Sequence, residues 1–257
     1  VAPVVTPAYR GRFAPSPTGP LHAGSLLSAL ASFLDARSRQ GQWLVRIEDL
    51  DPPRESKAAA SSILASLEAL ALYWDGSVLY QSKRLNAYHE ALAHLKANKL
   101  IYACKCSRSE LALLGPAYPG SCRTLALPWT ASHAIRCRVT PEPVLFIDRL
   151  QGTITENLEH QTGDFIVQRR DGLTAYQLAV VVDDAWQGVT DVVRGIDLLD
   201  STPRQIYLQH QLHFPTPVYA HVPILTNRQG QKLSKQHHAT PIDCSRPKAL
   251  LVQALQR

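Results

Sequence analysis

Three cysteines stand close together in CKCSRSELALLGPAYPGSC, at positions 104, 106 and 122. Thiolates are soft anionic ligands. Two of them one residue apart can converge through a tight loop, and a third from further along can close the set; such donors favour zinc over magnesium or calcium. Spacing does not fix the fourth ligand, for which Tyr118, His133 and Cys137 are the candidates. Cys137 lies in AIRCRV, where a buried strand cysteine is the simpler account, and Cys244 is isolated. Nothing in the pattern leaves a position open for substrate, so the expected role is structural. Two further segments suit anions. PTGPLHAGS is a bend that leads into a helix whose first turn offers unpaired N–H groups. There His22 can donate to a phosphate oxygen, and Gly24 lets a ligand approach the backbone. Far along the chain, RQGQKLSKQHH sets Lys232 and Lys235 three apart in a Gly- and Ser-containing stretch. Such a loop can close over a triphosphate and neutralise charge that develops in phosphoryl transfer. Neither G-x-G-x-x-G nor a P-loop is present.

These groups need elements to hold them. YRGRFAP reads as a short strand ending at Pro15, and SPTGP as a turn. From Gly24 to Gln40, Leu26, Leu27, Leu30, Phe33 and Leu34 follow a helical period, with Gly41 as the expected stop. QWLVRIED is a second strand. A helix with the stripe Ile63, Leu64, Leu67 and Leu70 follows, and Ser82 is placed to cap a third carrying Leu85, Tyr88, Leu92 and Leu95. Strand–helix alternation predicts an α/β fold with a parallel sheet and crossover helices. Asp51, before Pro52 and Pro53, reads as a turn or cap residue.

Periodicity is lost between Tyr102 and about Thr130; AIRCRV, VLFIDRL and DFIVQRR then read as short strands. We expect a first part of the core over 1–100, an inserted subdomain over 101–160, and a second part of the core over 161–257. YQLAVVVDDAWQGVTDVVRG belongs to the resumed core, with Asp183 and Asp184 as strand neighbours in structural or substrate-positioning roles. STPRQIYLQHQL reads as a helix with Ser201 or Thr202 near its cap and Pro203 in the first turn. HVPILT looks strand-like, and a helix is expected at the C-terminal end of the chain.

The chain has 257 residues, 45% of them hydrophobic, which is enough for one large domain or one domain plus a smaller one. A net charge of +6 mildly favours a polyanionic partner. With no continuous basic tract, a nucleic-acid surface must be assembled in three dimensions. No apolar run reaches transmembrane length, and VAPVVTPAYRG lacks the basic start and apolar core of a signal peptide. Five cysteines, three of them clustered, indicate an intracellular protein with a metal site rather than a disulfide scaffold. There is no methionine, even at position 1, so residues outside this chain are expected.

Together and in this order, PSPTGPLHAGS and KLSKQ resemble the two signatures of class I aminoacyl-tRNA synthetases, the HIGH-type region and the KMSKS-type loop. Ser25 stands where the first signature ends in histidine, and Gln236 where the second ends in serine. With RFAPSPTG and RIEDLDPPR, the resemblance is to the glutamyl branch and covers nearly the whole chain. A full-length member carries a helical anticodon-binding region beyond the second signature. This chain runs about twenty residues past it, and so resembles the short paralogues that glutamylate queuosine in tRNA(Asp).

The resemblance implies a Rossmann-like parallel-sheet core with an inserted zinc-containing subdomain. It implies ATP-dependent activation of L-glutamate as the adenylate, Mg2+ accompanying ATP, and queuosine-containing tRNA(Asp) as acceptor. A cytoplasmic monomer with no membrane partner is expected. Glutamate brings two carboxylates and an ammonium, so a selective site needs basic donors and an acid. Arg12 and Glu48 lie at the ends of the first two expected strands, and Ser16 at a turn. In a parallel sheet those ends line the ligand crevice. By resemblance, Arg12, Ala14, Ser16, Glu48, Tyr176 and Arg194 match positions that contact glutamate or its adenylate. In the same way His22, Gly24, Ser25, Lys232 and Lys235 match the ATP site, with His22 and Lys235 catalytic. Cys104, Cys106, Tyr118 and Cys122 match a structural Zn2+ site. Val180 replaces a polar residue of the glutamyl enzymes, which implies weaker glutamate binding. The rival readings are a catalytic fragment that charges a tRNA 3′ end, an HxGH-type nucleotidylyltransferase, and a noncatalytic tRNA-binding module.

Overall fold

The computed structural model describes residues 8–113, 115–130, 132–225 and 240–256. The chain begins β1 (Arg10–Phe13), α1 (Ala23–Ser38), β2 (Gln42–Ile47), α2 (Lys57–Ala69), β3 (Leu79–Tyr80), α3 (Leu85–Ala97) and β4 (Ile101–Cys104). It continues with α4 (Arg108–Ala112), β5 (Ala134–Cys137), β6 (Val144–Asp148), β7 (Gly152–Glu156), α5 (Leu158–Gln161) and β8 (Phe165–Gln168). The last described elements are α6 (Tyr176–Trp186), β9 (Asp191–Gly195), α7 (Thr202–Gln211), β10 (Val218–Val222) and α8 (Pro247–Leu255). Among the described residues, no helix is long and apolar enough to cross a membrane. Two compact units emerge: one from the described residues of 1–82, 188–198 and 217–257, the other from those of 83–187 and 199–216.

In the first unit β1, β2 and β3 pair in parallel, with Arg12 opposite Leu44 and Arg46 opposite Leu79. β9 and β10 are also parallel, with Arg194 opposite His221. β9 runs beside β1, where the Thr190 N–H donates to the Arg10 carbonyl at 2.9 Å. Helix α1 crosses from β1 to β2 and buries Leu26, Ala29, Leu30 and Ala36. Phe33 meets the fully buried Trp43 edge-on at 5.1 Å, and the indole N–H donates to Ser32 at 2.9 Å. Leu34, expected on this face, is 43% exposed and lies past its edge. The helix stops as expected, but the left-handed turn falls at Gln40 (φ 53°). Gly41 serves a different need: a Cβ there would lie 2.6 Å from the Tyr9 carbonyl oxygen, so only glycine permits that approach. Ser56 caps α2 by accepting from the Ala59 N–H at 3.1 Å, and Ile63, Leu67 and Leu70 are buried. Asp51 precedes a 3-10 turn, Pro52–Arg54, and pairs with Arg54.

The second unit is built on antiparallel pairing. β4, β5 and β8 form one sheet, with Ile101 opposite Cys137 and Cys137 opposite Phe165. β6 and β7 form a hairpin. Strand β4 and the short α4 occupy a stretch whose sequence shows no period, and β7 was equally unmarked. α3 begins at Leu85 with Arg84 as its cap position, not Ser82, whose N–H and hydroxyl donate to Asp49 at 2.8 and 2.6 Å. The largest difference from expectation is α6. VVVDD is helix, not strand: α6 buries Leu178 through Asp184 without a break, and a helix buried on most sides shows no one-faced period to set it apart from a strand. Asp183 and Asp184 are both buried. Asp183 ties α6 to α3, accepting from Arg84 Nε at 3.0 Å and the Tyr88 hydroxyl at 2.6 Å. Helix α7 starts with Ser201 as its cap position and a proline in the first turn, as its sequence indicates, though no side-chain hydrogen bond closes the cap. β10 ends at Val222, ahead of Pro223, so only the start of HVPILT is strand.

Candidate functional site

The three cysteines converge. β4 delivers Cys104, and a capping box follows Cys106 at once: the Ser107 hydroxyl accepts from Glu110 N–H, and the Glu110 carboxylate accepts from Ser107 N–H. This sharp helix start fixes the course of the chain after Cys106. Tyr118 is brought in by a bridge to Gly163, where the Tyr118 N–H donates to the Thr162 carbonyl at 3.0 Å. Gly163 has φ 66°, and a Cβ there would lie 2.0 Å from the Tyr118 carbonyl. Its missing side chain is what admits Tyr118.

The sulfurs of Cys104, Cys106 and Cys122 all lie within 4.8 Å of one another, with Cys106 and Cys122 3.6 Å apart. The Tyr118 oxygen is 3.3 Å from the sulfur of Cys104 and 3.5 Å from that of Cys106, and accepts from Cys122 N–H at 3.1 Å. A tetrahedral zinc ion with ordinary bond lengths sets sulfurs about 3.8 Å apart and a sulfur and an oxygen about 3.5 Å apart. The four donors therefore fit such an ion. Cys137 is wholly buried on β5 with its thiol toward the Arg138 carbonyl, and the His133 ring faces the Pro128 carbonyl at 2.8 Å; neither joins the cluster.

Arg136 lies behind the cluster, buried, with its guanidinium 3.9 Å from the Tyr118 ring centroid. It donates to the Asp164 carbonyl at 2.6 Å. Burial pushes the Cys104 thiol up, but hydrogen bonds from Tyr118 and Arg136 outweigh it and bring it down to about 7. Burial pushes Cys106 and Tyr118 up. A dication among these donors would draw the remaining thiols into their ionised form. Asp164 is the hub of this region. It accepts from Arg123 Nε and Nη2 at 2.6 and 2.5 Å, from Val139 N–H at 2.9 Å, and from the Tyr102 hydroxyl. Asp164 and Arg136 are not marked in the sequence, since an acid before a strand and an arginine within one carry no pattern.

In the first unit, Arg12, Glu48 and Arg194 stand at or just past the C-terminal ends of β1, β2 and β9. All three are buried, at 3%, 8% and 4% exposure. Charged groups stay buried only when paired or kept for a charged ligand. Arg46, fully buried on β2, reaches Glu48 at 3.3 Å. Glu48 N–H also donates to the Pro15 carbonyl at 3.0 Å, drawing the loop of Ala14 and Ser16 onto the end of β2. Tyr176 opens α6 in the second unit, and Val180 is buried on the same helix.

His22 is the N-cap of α1: its Nδ1 accepts from Ser25 N–H at 3.3 Å, and the Ser25 hydroxyl accepts from His22 N–H at 2.9 Å. With Nδ1 used as an acceptor, a neutral ring carries its proton on Nε2. Gly24 sits in the first turn, where backbone N–H groups and the helix dipole favour an anion. Lys232 and Lys235 lie outside the described residues. Beyond them the chain returns to the first signature: Pro241 forms a bridge with His22, and Ile242 N–H donates to the Leu21 carbonyl at 3.0 Å.

The profile of class I tRNA synthetases (E and Q), catalytic domain, matches residues 8–115 and 129–250. The glutamyl-Q tRNA(Asp) synthetase of Dechloromonas aromatica is 55% identical over 96% of this chain and 85% of its own length. That of Pseudomonas syringae is 53% identical over 97% of this chain and 84% of its own length. Among solved structures, the glutamate-tRNA synthetase of Elizabethkingia anophelis superposes with a TM-score of 0.78 at 25% identity, over 89% of this chain and 53% of that one. The chain has a class I synthetase catalytic core and belongs to the glutamyl-Q tRNA(Asp) synthetases.

Proposed function

We propose that this chain activates L-glutamate with ATP and transfers it to queuosine in tRNA(Asp), in the cytoplasm and as a monomer. The observation that carries the glutamate reading is the set of buried charges at the strand ends of the first unit. The buried guanidiniums of Arg12, Arg46 and Arg194 and the buried carboxylate of Glu48 lie on or beside β1, β2 and β9. Such a set matches a ligand with two carboxylates and one ammonium. Ala14, Ser16 and Tyr176 complete the proposed glutamate contacts. In the first step the α-carboxylate attacks the α-phosphorus and pyrophosphate leaves. In the second, a hydroxyl of the queuosine cyclopentene-diol attacks the adenylate carbonyl, gives up its proton, and AMP leaves. Positioning and charge stabilisation can carry both steps. His22 Nε2–H and the backbone of Gly24 and Ser25 hold phosphate oxygens, while Lys235, aided by Lys232, steadies the departing pyrophosphate. Magnesium bound with ATP offsets triphosphate charge.

We assign the four-donor cluster to a structural zinc ion held by Cys104, Cys106, Tyr118 and Cys122. Because four protein donors fill a tetrahedral shell and leave no position for a substrate, its service is to the fold.

The test compares glutamate transfer to tRNA(Asp) with and without queuosine, each also trimmed of its 3′-terminal adenosine. Transfer should require queuosine and ignore the trimming. Transfer that survives loss of queuosine but not trimming would establish the 3′-end-charging alternative. Lys235→Ala is expected to slow transfer about 100-fold, the cost of losing one preorganised charge at a transition state. A rate within threefold of the parent would remove Lys235 from the chemistry.

A further inference from the structure

The parallel register sets His221 of β10 directly beside Arg194 of β9. His221 has no exposed surface and Arg194 is 4% exposed. The guanidinium Nε donates to His221 Nε2 at 3.0 Å. A guanidinium has no acceptor and never gives up its proton in a protein, so this contact holds only if Nε2 is bare. The ring is therefore neutral, with its proton on Nδ1. Tyr219, two residues earlier and on the same face of β10, lies nearly parallel to the imidazole at 6.1 Å between centroids. The guanidinium carbon is 5.5 Å from the centroid of the Tyr219 ring. Arg194 Nη2 reaches the Leu198 carbonyl at 3.4 Å. The arginine is thus located along Nε by an acceptor, at its side by an aromatic ring and at one end by a backbone oxygen.

We propose that His221 is a positioning residue for amino-acid recognition: as a neutral acceptor it holds the Arg194 guanidinium so that its Nη edge meets a carboxylate of the substrate. The inference rests on the reading of Arg194 as a glutamate contact. An arginine fork recognises a carboxylate only when its plane and edge are fixed, and a long side chain otherwise spends binding energy on being ordered. A second lysine or arginine at position 221 would repel Arg194, and a serine or alanine would not reach it. Histidine supplies an acceptor at ring length and adds no charge. His221 has no prominence in the sequence, because a lone histidine on a strand is most simply read as core.

The experiment measures KM for glutamate and for ATP, and kcat, in transfer to queuosine-containing tRNA(Asp). His221→Leu removes the acceptor and keeps an apolar side chain. It should raise the glutamate KM about tenfold, the usual cost of a lost hydrogen bond to a charged group, with the ATP KM unchanged. His221→Gln, which returns an acceptor oxygen, should recover most of that loss. In the Arg194→Gln background, His221→Leu should have no further effect. An unchanged glutamate KM in His221→Leu, an equal rise in the ATP KM, a failure of His221→Gln to recover, or additive losses in the double variant would each overturn the proposal. Arg194→Gln alone separates the two levels. If it leaves glutamate KM intact, the reading of Arg194 fails and takes the proposal with it; if it raises KM sharply while His221→Leu does not, only the role of His221 fails. Should His221→Leu not fold, His221→Met and His221→Gln form the same apolar–acceptor comparison, with folding checked by circular dichroism.

Discussion

Asp164→Ala is expected to destabilise the second compact unit by about 3–5 kcal/mol, the usual cost of removing one partner from a buried charge pair. The carboxylate is wholly buried. It accepts two hydrogen bonds from Arg123, one from Val139 N–H and one from the Tyr102 hydroxyl. Alanine would leave all of these donors facing a void. Arg123 keeps about a third of its side chain in solvent and can recover part of its hydration, whereas Val139 N–H and Tyr102 are buried. Asp164→Asn keeps the shape and one good acceptor and should cost about half as much, since it forfeits charge but not volume. Urea denaturation followed by circular dichroism measures both. A loss below 1 kcal/mol for Asp164→Ala, as an order-of-magnitude threshold, would show that Asp164 is not the hub its contacts describe. The Asp164 carbonyl that holds Arg136 behind Tyr118 belongs to the backbone and survives both substitutions, so the loss should fall on the Arg123, Val139 and Tyr102 contacts alone.

Stripping the proposed zinc is expected to cost a comparable amount. A ligand a thousandfold above its Kd adds about 4 kcal/mol to stability, and for structural zinc that energy is part of folding. The protein should therefore lose a cooperative transition on treatment with a strong chelator and regain it with added zinc. Tyr118→Phe is the sharper variant. The ring stays under Arg136 and the bridge to Gly163 is untouched, so only the oxygen is lost. Zinc affinity, read by competition with a chromogenic chelator, should fall about a hundredfold, the upper end of what even an outer-shell loss costs. Cys106→Ser should fall at least as far. Unchanged affinity in Tyr118→Phe would leave three thiolates and a solvent molecule as the ligand set.

Much of this could be read in the chain beforehand, and the exceptions have physical causes. Helices α1, α2 and α3 bury one stripe each, so their period survives in sequence. The parallel pairing of β1 with β2 follows from the α1 crossover between them. The C-x-C pair and its distant third cysteine pointed to a convergent thiol cluster, and the three sulfurs do come together. Helix α6 misled because it is buried on most sides, and a side chain buried everywhere leaves no alternation to read. Strand β4 is a four-residue stretch, IYAC, buried throughout, and was hidden for the same reason. The buried side chains packed against the candidate sites could not be found at all. Asp164, Arg136 and His221 act through register and cross-strand contact, which single-residue patterns do not encode.

The bridge between Tyr118 and Gly163 also bears on the order in which the protein is made. All four proposed zinc donors have been synthesised once residue 122 is out, yet Gly163, which admits Tyr118, and Asp164, which anchors Arg136, follow about forty residues later. For that interval the growing chain carries three thiols without the bridge that seats Tyr118 among them. Two of them, Cys106 and Cys122, come to rest at 3.6 Å, a separation that oxidation could shorten into a covalent link. Early capture of the proposed zinc by the nascent segment would be a form of chemical protection: in zinc-depleted cells treated with a thiol oxidant such as diamide, which takes up the two electrons and two protons, this protein should accumulate with Cys106 joined to Cys122.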